Sequence, residues 1–155
     1  MTRFGMKRLM MTAALVVPLA LVVAQPAAAS WLQQDTAVPQ GASVWDFSAV
    51  ACTSPGSCMA VGNADSSLLA EVRSGSTWTV VTIPDPGGGQ LSGISCTSAS
   101  SCEAVGQATP GSTTQTLAEV WNGSSWSIQS TPNPGGASSS QLSSVSCTSD
   151  RKSVV

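Results

Sequence analysis

Cysteine is the residue type with the most regular spacing in this chain: Cys52 and Cys58, then Cys96 and Cys102, each pair enclosing five residues, and then Cys147, with Ser153 standing where a partner would fall. Paired thiols of this kind ligate a metal or form a bridge. Zinc sites favour tighter C-x2-4-C spacing and often recruit histidine, and the chain has no histidine. The expectation is therefore one short disulfide per pair, Cys52 with Cys58 and Cys96 with Cys102. Loop closure makes each worth roughly 2 to 2.5 kcal/mol. Cys147 is expected to keep a solitary thiol, of the sort that can bridge molecules in exported proteins.

The remaining chemistry is sparse. Without histidine there is no usual general base and no Ser-His-Asp triad, and without tyrosine no sialidase-like nucleophile. Glu71 and Glu119 are the carboxylates at a repeated position, each between alanine and valine. Two carboxylates about 5 to 9.5 Å apart can hydrolyse a glycoside, but residues at one position of successive repeats lie a repeat apart. No catalytic residue is assigned, and the chain is read as no enzyme. Gly87, Gly88 and Gly89 are not followed by the Lys-Ser or Lys-Thr of a phosphate loop. Asp46, Asp65 and Asp85 are too scattered for a calcium loop. No metal and no cofactor is expected. Trp31, Trp78 and Trp126 recur at one repeat position and are assigned to packing between repeats, whereas Trp121, beside Asn122 and Gly123, is the candidate for an exposed platform on which a sugar ring could stack.

These residues are positioned by a repeat. Residues 91–106 restate residues 47–62 at a distance of 44, and residues 141–149 restate the same frame 51 further on. Self-similarity at this period marks a supersecondary unit that buries its apolar face only by stacking on copies of itself. In the second copy, residues 91–96, 102–106, 116–121 and 125–130 read as four short strands, with Asn122 and Gly123 favouring a tight hairpin through positive φ. Ser74 and Gly75 hold that place in the first copy, and Pro84, Asp85, Pro86 and Gly87 recur as Pro132, Asn133, Pro134 and Gly135 to close each unit. Four antiparallel strands per unit is the layout of a propeller blade. The fold class is thus all-β, propeller-like and incomplete, with about two full blades and parts of others.

Outside the repeats, residues 1–29 read as a signal peptide. Arg3, Lys7 and Arg8 precede an apolar run at 13–24 and a small-residue cleavage site at Ala27, Ala28 and Ala29. That run is shorter than the ~20 residues that span a bilayer, so no membrane anchor is expected in the mature chain, which would be secreted and extracellular. There, Arg73, Arg151 and Lys152 face eight acids, for a net charge of about −5. Nucleic-acid binding, which needs a basic stripe, is excluded. The organisation is then residues 30–44 as the last strand of a partial blade and a linker, 45–89 as repeat one, 90–140 as repeat two, and 141–155 as the start of a truncated third. Fewer than about four blades leave strand edges open, and open edges self-associate.

The motifs CTSASSCEAVG and LAEVWNGSSW, followed by the Pro-Asn-Pro turn, resemble secreted actinobacterial repeat proteins with the pattern SCxSxxxCxAVG, LAExWNGxSW and PNP. In blade layout the chain is also similar to kelch, Asp-box and photosystem-assembly-factor propellers. The resemblance implies an extracellular propeller-like domain. The function read from it is a non-enzymatic binding or scaffold module, with a cell-wall glycan or an extracellular protein as partner. The alternative is a fragment of a longer secreted propeller, lectin-like or glycoside-hydrolase-like, without activity of its own.

Overall fold

Alternating apolar and small polar residues, rich in valine and threonine and punctuated by glycine and serine, favour short strands with one buried face. The computed structural model describes residues 33–148 and the backbone of 153–154. Every regular element among them is a strand: β1 Trp45–Ser54, β2 Ser57–Ala64, β3 Ser67–Ser74, β4 Thr77–Val81, β5 Gln90–Ser98, β6 Ser101–Ala108, β7 Gln115–Trp121, β8 Trp126–Gln129, β9 Ser146–Cys147 and β10 Ser153–Val154. Strands β1 to β4 form one antiparallel sheet and β5 to β8 a second, each in chain order, and β9 pairs with β10. Two units of four strands are what the repeat predicts. No sheet among the described strands closes on itself.

The register explains the repeated motif. Cys52 lies opposite Cys58 and Cys96 opposite Cys102, and both pairs are bridged with Cα atoms 4.0 Å apart. The third hairpin keeps this register with Ser153 opposite Cys147. Further along, pairing steps from Phe47 with Gly62 to Ala49 with Val61, and from Leu91 with Gly106 to Gly93 with Val105. Ser48 and Ser92 are left over as β-bulges. A side chain at Gly62 would drive its Cβ into the carbonyl oxygen of Asp46, and one at Gly106 into that of Gln90. The glycine of each AVG motif thus lets the bulged strand approach.

Turn chemistry departs from expectation at both hairpins between third and fourth strands, the first of which turns at Gly75 and Ser76 rather than at Ser74 and Gly75. The hairpin between β7 and β8 is not a two-residue Asn-Gly turn: Trp121 pairs with Trp126 across four loop residues. The Asn122 side chain accounts for it, because its Oδ1 accepts the N–H groups of Ser124 at 2.9 Å and Ser125 at 3.0 Å, and this leaves Gly123 alone at positive φ. The two-residue turn is in the first sheet, where Gly75 and Ser76 join Ser74 to Thr77 with Gly75 at φ 64°.

The strands from β1 to β9 belong to one compact unit, Gln34–Val155. Within it β1 lies against β5, and one apolar cluster joins the sheets: Met59, Val61, Leu68 and Ala70 from the first, with Leu91, Ala104, Leu117, Trp121 and Trp126 from the second. Each fully buried side chain of leucine size contributes about 1.5–3 kcal/mol, so this shared layer holds the two sheets together. The closing turns are tied in by their central residue. Asp85 accepts the N–H of Leu68 at the head of β3, and Asn133 accepts that of Thr116 at the head of β7. Residues 33–44 carry no strand and are held by the Ala37 N–H on Glu71 and the Ser43 and Val44 N–H groups on Asp65. Residues 1–29, expected to be a signal peptide, and the stretch at Ser30 and Trp31, expected to form a strand, lie outside the described residues.

Candidate functional site

Trp121 is not the exposed platform that its place in sequence suggested. It sits opposite Cys102 and Trp126, is 8% exposed, donates its Nε1–H to the carbonyl of Ala99 at 3.2 Å, and lies tilted against Trp126 with ring centroids 5.7 Å apart. The four-residue loop carries the hairpin tip beyond it. Its counterpart in the first sheet is Arg73, opposite Cys58 and Trp78, whose Nη1 donates to the carbonyl of Pro55 at 2.9 Å. Arginine and tryptophan therefore do one job, a donor reaching over the disulfide loop. Of the packing tryptophans, Trp126 is in the shared core and Trp78 is half-buried, while Trp31 lies outside the described residues.

Glu71 and Glu119 are both 0% exposed. Glu71 Oε2 accepts the Ala37 N–H at 3.2 Å, while neither oxygen of Glu119 has a partner. Burial raises the pKa of Glu71 against the opposing Ala37 hydrogen bond; burial, with the negative charge of Asp85 second, pushes Glu119 up to about 7. Sealed on different sheets, the two carboxyls cannot flank one substrate. Among the described residues no group of three or more His, Cys, Asp or Glu is placed to hold a metal ion.

Open polar space of about 690 Å³ lies beside the edge of Trp121, lined by Thr97, Ser100, Ser101 and Asn122, but no repeated feature builds it. A cleft of about 700 Å³ lies where β1 and β5 begin, lined by Asp46, Ser48, Asn63, Asp65, Gln90 and Ser92, with buried Leu91 at its base. The two bulges position it, since the extra residue of each inner strand is one of its serines. Its rim is fixed by Asn63 Nδ2 donating to the carbonyl of Gly89 at 3.0 Å, by Gln107 Nε2 donating to Gln90 Oε1 at 3.0 Å, and by Asp65, held at φ 51°. Hydroxyls, amides and carboxylates without a cation make a surface that hydrogen-bonds hydroxyl groups and repels anions. Sequence reasoning passed over Ser48 and Ser92. Their signal was there, as the serine after the apolar residue in Phe47-Ser48-Ala49 and Leu91-Ser92-Gly93.

A second groove of about 410 Å³ runs along the outer face of the second sheet, past Glu103, Val120, Gln129, Thr131 and Cys147. Cys147 is in neither disulfide; its N–H donates to Ser95 Oγ at 3.1 Å and its Sγ lies 3.9 Å from Glu103 Oε2. The repeat puts Met59 and Val81 at the places of Glu103 and Gln129, and in the first sheet both belong to or pack on the shared core. In comparison with known proteins, no family model, curated protein or solved structure matches the chain.

Proposed function

We propose that this chain is a secreted, non-enzymatic binding module whose sheets stack as blades of a propeller, and that it takes a hydroxyl-rich ligand, a glycan of the cell-wall type, in the cleft at the head of β1 and β5. The observation that carries the reading is the repeated bulge, which brings Ser48 and Ser92 from successive sheets into one polar cleft with Asp46, Asn63 and Gln90. Bulges of this kind re-aim side chains and are over-represented at sites. The blade reading is supported by the adjacency of β1 and β5, the first strands of their sheets, which is where a propeller places its channel. Export is supported by one bridge per sheet, since disulfides persist in oxidising compartments.

The test is retention on purified cell wall together with a glycan array, comparing the intact protein with Asp46→Ala combined with Gln90→Ala. Both side chains are exposed, so the fold should survive their loss. Retention of the parent that falls at least tenfold in the variant is expected. Equal retention of the two, or none by either, defeats the reading.

A further inference from the structure

Glu71 and Glu119 hold the same strand position: the segment leading into the first sheet meets Glu71, and Glu119, opposite Ala104, lies on the face of the second sheet that enters the shared core, against which Ile83 of the linker also packs. In the first repeat that segment supplies a donor, the Ala37 N–H at 3.2 Å from Glu71. Ala37 is the sixth residue after Trp31, and the sixth after Trp78 is Pro84. Proline has no N–H. The repeat therefore withholds from Glu119 the partner it gives to Glu71, and both Glu119 oxygens are buried without a hydrogen bond. The next residue, Asp85, adds a second negative charge. Glu119's strand neighbours, Ala104 on β6 and Ile128 on β8, carry none. Among the described residues, the negative charge of Asp85 bears on Glu119.

We propose that Glu119 is a proton-operated latch between the linker at residues 82–89 and the second sheet: the seam closes over the neutral carboxyl and opens when the carboxyl ionises. A carboxylate cannot be left buried and unpaired, with a second negative charge bearing on it, so ionisation must draw in water or part the surfaces. Burial pushes the group up to about 7, which sets the opening near neutral pH. The same linker ends in Gly88 and Gly89 at the rim of the cleft. Opening would thus reshape the proposed ligand site; that coupling rests on the binding reading, whereas the latch does not.

The experiment is amide hydrogen exchange and tryptophan fluorescence of the intact protein from pH 5 to 9, with exchange corrected for base catalysis. Trp121 and Trp126, in the core shared by the two sheets, report the seam. The parent should show a transition near pH 7 that Glu119→Gln abolishes. Asp85→Asn, which the native Asn133 shows to be compatible with the turn, and Pro84→Ala, which restores the N–H, should each move the midpoint down by half a pH unit or more. A parent without a transition, or a transition that persists in Glu119→Gln, overturns the latch. If Glu119→Gln does not fold, the other two variants decide, and unmoved midpoints in both overturn it.

Discussion

Gly106 shows how closely single residues are constrained here. Its missing side chain is what allows the second sheet's bulge, because any Cβ would meet the carbonyl of Gln90 and the backbone of Leu91, neither of which can swing aside. Gly106→Ala should lower the unfolding free energy by about 3 kcal/mol, as overpacking against rigid backbone does, measured by urea denaturation. Gly135→Ala, with nothing within 4 Å of the added carbon, should stay within about 0.5 kcal/mol of the parent. Equal losses at the two sites would mean that the bulge imposes no such demand. Arg73 and Trp121 carry a related lesson. They share no chemistry except an N–H donor on a long, flat side chain, and that is the property their common place above the disulfide loop requires.

At the scale of the element, the hairpin is the unit that repeats. The first two strands of each sheet are bridged at one register, and β9 with β10 preserves that register with serine in place of the second cysteine. Ser153→Cys should therefore form a third disulfide with Cys147. Mass spectrometry would read a loss of two hydrogens, and the melting transition should rise with an added stability of roughly 2 kcal/mol from loop closure. Two thiols that stay reduced under conditions that oxidise the native pairs would count against the shared register. The hairpins between third and fourth strands were less legible. Asn122 and Gly123 suggested the tightest turn, yet a side chain that captures two backbone N–H groups stabilises a wider loop, and local sequence does not say which option the neighbouring strand will permit.

At the scale of the whole molecule, stability depends on what lies between the sheets. Glu119 binds its proton more tightly folded, with a pKa of about 7, than unfolded, where it takes the ordinary carboxylate value of 4.5. Its contribution is therefore present in full below pH 4.5 and is lost as pH rises through 7. Burial acts on Glu71 in the same direction. The denaturation midpoint of the intact protein should be higher at pH 5 than at pH 8, with the Glu119 share falling by up to about 1.4 kcal/mol for each pH unit over which its proton is released. A midpoint that rises across that interval would reverse the assignment.

Sequence alone determined the period, the four-strand unit, the two disulfides and the turn residues that close each unit, because alternation, cysteine spacing and glycine or proline punctuation act over a few residues and need no knowledge of neighbours. Tertiary structure alone decided that Trp121 is buried, that Ser48 and Ser92 meet in one cleft, and that Glu119 lacks the donor Glu71 has. Each of these depends on how one sheet, or the segment leading to it, lies against the next, and residues some tens of positions apart in the chain acquire a common environment only when those parts pack together.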